Sequence, residues 1–339
     1  MEASSGRRRL HRRIVALSVA ATVVASTLAG LAFARGRTAA IGTGVVVIET
    51  RLGYQGNEAA GTGIVLGSSG KVLTNNHVIK GATDLRIVVP GTGRSYPASV
   101  VGYDVADDVA VLKARGASNL TTAALGNSSS LALGQAITAR GNAGGTGRLV
   151  SATGTITGLG KSIVASGEDG SSEELTGLVE TDAAIEPGDS GGPLLDRAGR
   201  VVAMITAASA SRLGFEETAA GDAYAIPIAK ALRVSHAIDA GRASARVHVG
   251  PTAFLGVEVR GFSEGTMIDA VLPNGPADAA GLVAGDLITA VAGRQITTPS
   301  TLTNLLLTRK PGQRIRVAYT DELGAAHTAA VTLGSGPPQ

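Results

Sequence analysis

The run Gly188-Asp189-Ser190-Gly191-Gly192-Pro193 sets one serine among glycines, with a proline to close the turn. An attacking hydroxyl must stand clear of its own backbone, and nearby N–H groups must point at the oxyanion that forms when a carbonyl is attacked. Glycines at 188, 191 and 192 allow that approach and tolerate the φ > 0 conformations of a tight N–H-lined loop. The same residue types are ordinary turn formers, so the hexapeptide taken alone also describes a surface turn. A serine hydroxyl is a poor nucleophile near neutral pH. It needs a base within hydrogen-bond reach and a third group that holds the base in the correct tautomer.

The chain has five histidines. His11 lies in an arginine-rich leader, while His236, His248 and His327 fall near or beyond the end of the first expected domain. His77 remains, in Leu73-Thr74-Asn75-Asn76-His77-Val78, directly after an apolar run that reads as a strand. Downstream, Asp104-Val105-Ala106-Asp107-Asp108-Val109-Ala110-Val111-Leu112 puts acids before another apolar strand. Asp108 abuts that strand and is the candidate orienting carboxylate, with Asp107 as the alternative. His, Asp and Ser then follow one another in the chain order of a chymotrypsin-type triad.

Thr74-Asn75-Asn76-His77-Val78, Asp108-Val109-Ala110-Val111-Leu112, Thr181-Asp182-Ala183-Ala184-Ile185 leading to the Ser190 loop, and Tyr224-Ala225-Ile226-Pro227-Ile228 together resemble the HtrA/Deg family. The resemblance runs from about residue 43 to 334. It implies an all-β double barrel of chymotrypsin type followed by a small α+β PDZ domain, and the activity of a serine endopeptidase without metal or organic cofactor. Oxyanion donors are expected from Gly188, Asp189 and Ser190. Asp189 departs from the asparagine that most family members carry. In trypsin-like enzymes an acid six residues before the serine binds basic side chains. Here that position is Ala184, and with Ile205 and Ala207 of Met204-Ile205-Thr206-Ala207 as the other wall the expected pocket is small and apolar. Cleavage after Val, Ala or similar residues follows, as the resemblance also implies, and relatives form trimers.

A length of 339 residues suits two domains. Aromatics make up 3% and tryptophan is absent, so Val, Ile, Leu and Ala must build the cores. The formal charge of +3 resides in the leader, where Arg7, Arg8, Arg9, Arg12 and Arg13 face Glu2 alone. The remainder holds 25 basic against 26 acidic residues, so no nucleic-acid partner is implied. Zero cysteines exclude disulfides, thiol catalysis and cysteine-ligated zinc.

Residues 14–34 are uncharged and as a helix would extend about 31 Å, enough to cross a ~30 Å hydrocarbon core. With the basic segment 1–13 before them, they read as a single transmembrane anchor that leaves the remainder extracytoplasmic. Ala32-Phe33-Ala34 also fits signal-peptide cleavage, the alternative being a secreted protein. A tether spans 35–42. From Thr43 to about residue 240, short apolar strands such as Val45–Ile48, Gly63–Leu66, Leu85–Val89 and Val201–Ile205 alternate with turn residues, as in a barrel or sandwich.

The glycine-rich run at 141–147 lacks the Gly-Lys-Ser/Thr ending of a phosphate loop. Gly160–Gly177 reads as a polar, flexible segment, Ile228–Ala240 as an outer helix carrying Ala229, Leu232, His236 and Asp239, and 241–250 as a linker. Residues 251–335 form the PDZ expectation, with a helix from Pro299 carrying Leu302, Leu305 and Leu306. In this resemblance a peptide C-terminus adds as a strand, its carboxylate held by backbone amides of Phe254-Leu255-Gly256-Val257. The expected role is quality control of unfolded or damaged exported proteins. A PDZ-bearing scaffold or holdase, and a narrow protease cutting one membrane-associated regulator, are the alternatives.

Overall fold

The computed structural model describes residues 43–54, 56–166, 172–208, 223–262 and 265–339. The basic leader, the expected anchor and the tether lie outside the described residues. Among the described residues no helix is long and apolar enough to cross a membrane.

The first barrel is built from β1 (Val45–Leu52), β2 (Asn57–Gly67), β3 (Lys71–Thr74), β4 (Asp84–Val89), β5 (Arg94–Asp104) and β6 (Val109–Ala114), with the short helix α1 (Asn76–Ile79) after β3. The strands pair in the order β5-β4-β1-β2-β3-β6, and β5 also pairs with β6 to close the ring. The second is a closed barrel of β7 (Ala136–Gly141), β8 (Val150–Ser166), β9 (Ser172–Thr181), β10 (Pro193–Leu195), β11 (Val201–Ala208) and β12 (Ala223–Pro227).

Two-residue periodicity sorts each strand between cores. In β6, Ala110 and Leu112 face the first barrel's interior with Ile48, Val65 and Val72. Val109 and Val111 face the other way, into a cluster shared with Leu178, Met204 and Ile226 of the second barrel. Such strands read as continuous apolar runs because both of their faces are covered. Each fully buried Leu or Ile adds about 1.5–3 kcal/mol to that packing.

Helix α2 (Ile228–Asp239) closes this shared cluster with Ile228, Ala231, Val234 and Ile238. Ala229, His236 and Asp239 of the sequence expectation are on its exposed side. Two further expectations change. The linker contributes β13 (Val247–Val249), paired antiparallel with β5. The polar segment 160–177 consists largely of the paired ends of β8 and β9, which hydrogen bond as far as Ser166 and Ser172.

The second unit contains β14 (Thr252–Phe254), β15 (Val257–Phe262), β16 (Gly265–Val271), α3 (Pro276–Ala279), β17 (Leu287–Val291), β18 (Arg294–Gln295), α4 (Pro299–Leu307), β19 (Arg314–Thr320), β20 (Ala326–Thr332) and β21 (Gly334–Gly336). Thr298 caps α4 by accepting the Thr301 amide at 3.1 Å, Pro299 occupies the first turn, and Leu302, Leu305 and Leu306 enter a core with Ile268, Ile288 and Val317. The units touch where Phe254 stacks on Tyr54, with ring centroids 5.7 Å apart.

Candidate active site

Strand β3 delivers the base. Its last residue, Thr74, donates to Thr62 O at 2.7 Å, and α1 begins two residues later with His77 on its first turn. The acid comes from the turn between β5 and β6. Asp108 has φ +50, an uncommon region for a residue with a side chain, and is 5% exposed. Its backbone is pinned there: Asp108 N donates to Val105 O at 3.1 Å, and Asn75 Nδ2 donates to Asp108 O at 2.9 Å.

The Asp108 carboxylate receives three donors. Oδ1 accepts the His77 amide at 3.0 Å, and Oδ2 accepts His77 Nδ1 at 2.9 Å and the Thr206 hydroxyl. A carboxylate only accepts, so the proton of a neutral His77 resides on Nδ1 and the lone pair on Nε2. That is the tautomer a general base requires. Asp107 is differently engaged, with Lys230 Nζ at 3.0 Å and Arg246 Nη2 at 2.6 Å. The two neighbouring acids therefore serve a histidine and a half-buried ion-pair cluster respectively.

The Ser190 loop leads into β10, and four successive carbonyls in it have donors. Pro187 O accepts Gly144 N at 2.8 Å, Gly188 O accepts Thr62 Oγ1 at 2.7 Å, Asp189 O accepts Gly192 N at 2.9 Å, and Ser190 O accepts Thr62 N at 2.8 Å. In a trans peptide the N–H points opposite to the C=O, so fixing Pro187 O and Asp189 O also fixes the directions of the Gly188 and Ser190 amides. Neither amide meets an acceptor among the described residues. Asp189, the third expected oxyanion donor, differs: its amide donates to Glu186 O at 3.0 Å. The donor set narrows to Gly188 and Ser190. Ser190 Oγ donates to Thr206 O at 3.4 Å.

All three glycines of the loop are sterically required, a Cβ on Gly192 lying 2.4 Å from Arg140 O. A Cβ on Gly188 (φ +98) would lie 2.2 Å from Asn142 O, and one on Gly191 (φ +83) would lie 2.0 Å from Thr62 O. The Asp189 carboxylate is buried and accepts the Glu186 amide at 3.0 Å. Burial pushes its pKa up, the Glu186 amide pulls it down and the Glu186 charge adds to the rise.

Of the residues expected to line a specificity pocket, two have described side chains. Ala184 is exposed, between Ala183 and Ile185 of the second barrel's core. Ile205 is fully buried in that core. The Ala207 side chain lies outside what the structure describes. In the PDZ unit, Leu255 is buried in the core, Val257 packs against it, and Phe254 is taken by Tyr54. What these positions leave open is backbone. The amides of Leu255 and Gly256 meet no acceptor among the described residues, and β15 pairs with β16 alone.

The sequence reading passed over Thr62, Thr74, Asn75, Asn142 and Thr206. The available signal was a hydroxyl inside an otherwise apolar or glycine-flanked strand, as in Met204-Ile205-Thr206 and Gly61-Thr62-Gly63. The glycine-rich run at 141–147 is a support for the Ser190 loop through Gly144.

Residues 61–204 match the trypsin-like peptidase domain, and residues 253–328 match the PDZ domain. The serine protease PepD of Mycobacterium tuberculosis is 33% identical over 304 residues, covering 86% of this chain and 63% of that protein. A probable periplasmic DegP-like serine endoprotease of Ectopseudomonas mendocina is 32% identical over 295 residues, covering 83% and 58%. The chain thus spans about three-fifths of the length of these curated relatives. Two structures of the HtrA-type protease AlgW with a tripeptide are each 28% identical, with TM-scores of 0.51 and 0.50, covering 87% of this chain and 95% of theirs. Fold and matches define a chymotrypsin-like serine peptidase unit followed by a PDZ domain. In both domains the chain is similar to proteases of the HtrA type.

Proposed function

We propose that this protein is an extracytoplasmic serine endopeptidase in which Ser190 is the nucleophile, His77 the general base and Asp108 its orienting carboxylate. Ser190 Oγ attacks a peptide carbonyl and passes its proton to His77 Nε2, and the imidazolium is stabilised by Asp108. The amides of Gly188 and Ser190 stabilise the oxyanion. His77 then protonates the leaving amine, and water repeats the sequence to release the acyl group. The observation that carries the reading is the buried Asp108 carboxylate bonded to both His77 N and Nδ1, next to a serine loop whose carbonyls are all held.

The substrates are unfolded or damaged exported proteins cut after small apolar residues in a pocket that includes Ala184. The PDZ unit, bounded near residues 251 and 335, binds peptide C-termini along β15. Residues 14–34 anchor the chain in the membrane, and the working assembly is a trimer. The test compares the full chain with Ser190→Ala on an unfolded, apolar-rich protein, with and without C-terminal peptides. Cleavage lost in the variant and stimulated by peptide is the expected result. No cleavage by the folded wild-type chain at saturating peptide would leave a peptide-binding scaffold in its place.

A further inference from the structure

Of the four carbonyls that fix the Ser190 loop, three are held by backbone amides and one, Gly188 O, by a side chain, Thr62 Oγ1. Thr62 lies on β2 in the first barrel and is fully buried. Its hydroxyl donates to Gly188 O at 2.7 Å and accepts Asn142 N at 2.9 Å. Asn142 opens the glycine-rich loop, whose Gly144 amide holds Pro187 O and so directs the Gly188 amide. The same threonine's backbone N–H holds Ser190 O, and its carbonyl accepts Thr74 Oγ1, two residues before the α1 start that carries His77.

We infer that Thr62 is the positioning residue of the oxyanion site: its hydroxyl couples the glycine-rich loop to the Ser190 loop and keeps the Gly188 amide aimed at the developing charge. The inference rests on the serine-peptidase reading and assigns that site a residue which touches no substrate. Without the hydroxyl, Gly188 O and Asn142 N lose their partner in a dry interior. The glycine-rich loop that Asn142 opens is then no longer tied to β2, so the Gly144 amide loses its hold on Pro187 O and the Pro187–Gly188 peptide can turn; substrate binds as before, but the transition state no longer meets both amides. The effect belongs in kcat.

The full chain is assayed with the p-nitrophenyl ester of an N-acylated valine, where the Ser190 Oγ–acyl bond forms, nitrophenolate leaves and the proton goes to His77. Thr62→Val keeps shape and removes the hydroxyl. It is expected to lower kcat about tenfold or more, short of the ~10²–10³ for deleting an oxyanion donor, with KM within about threefold and the midpoint of the pH profile unchanged. Thr62→Ser, which retains the hydroxyl, is expected to restore kcat to within about threefold of wild type.

A Thr62→Val chain with wild-type kcat overturns the inference, and so does a folded Thr62→Ser chain as slow as Thr62→Val. Should Thr62→Val fail to fold, Thr62→Ala is read by the same criterion. Failure of both to fold, with Thr62→Ser intact, makes the hydroxyl a folding requirement and overturns the positioning role. A wild-type chain that turns over no ester at all overturns the peptidase reading itself, whereas activity insensitive to Thr62 removes this inference alone.

Discussion

In the loop around Ser190, each carbonyl from Pro187 to Ser190 has a donor, and the amides left over are those of Gly188 and Ser190. Along β15 in the PDZ unit the reverse holds, since among the described residues one whole edge of the strand is unpaired while the other pairs with β16. Catalysis needs dipoles that are aimed before the charge develops, so the backbone there is fixed by its neighbours. Recognition by strand addition needs donors and acceptors that stay unpaired until a peptide arrives. One chain meets both demands by placing the first inside a tightly packed joint between two barrels and the second at a sheet edge.

The comparison breaks first at the nucleophile. Ser190→Ala is expected to lower kcat roughly 10⁴- to 10⁶-fold in peptide cleavage while peptide binding to the PDZ unit, followed by calorimetry, stays the same. Asp108→Asn is expected to cost about 10⁴-fold by favouring the wrong His77 tautomer. Asp107→Asn weakens ion pairs with Lys230 and Arg246, the first of them largely buried and neither touching His77, so its rate should stay within about threefold while its stability falls by about 1–3 kcal/mol. Gly188→Ala brings a Cβ against Asn142 O at a positive φ, and a loss of about 10²-fold in kcat with little change in KM is expected.

Leu302→Ala probes the other side. Leu302 is 3% exposed in the PDZ core, and its truncation should cost that unit about 2–5 kcal/mol in thermal unfolding. Turnover of a small ester at Ser190 should survive it.

The smallest effect concerns Asp189. Burial raises its folded pKa above the ordinary 3.8, so the folded state is penalised as pH rises through the raised value. Asn keeps an acceptor for the Glu186 amide and removes the charge. Asp189→Asn should therefore raise the thermal midpoint at pH 7, with the gain shrinking as pH falls toward the ordinary 3.8 and vanishing only well below it, where both states bind the proton. A gain that persists unchanged in acid would assign the effect to something other than ionisation.

Much of this was legible from residue types. Val109–Leu112 and Val201–Ile205 announced strands because both of their faces are covered, and Leu302, Leu305 and Leu306 announced a helix face by spacing alone. Ser190, His77 and Asp108 stood out because few other residues of their kinds had suitable neighbours. What stayed hidden depended on contacts across the chain. Asp107 meets Arg246 across 139 residues. Thr62 meets Gly188 across 126 residues, and Thr206 meets Asp108 across 98. A strand buried on both faces, such as the one carrying Ile205, gives no sign of which side chains line a pocket. The β13 pairing was invisible for a similar reason, since Val247-His248-Val249 is too short to show a period.

The most direct test of the central assignment is to treat the full chain with a fluorophosphonate and map the modified residue by mass spectrometry in wild type, Ser190→Ala and His77→Ala. A single label on Ser190, absent in the first variant and slowed by about 10³-fold or more in the second, is the predicted result. A label on another residue, or one that forms as fast without His77, would contradict it.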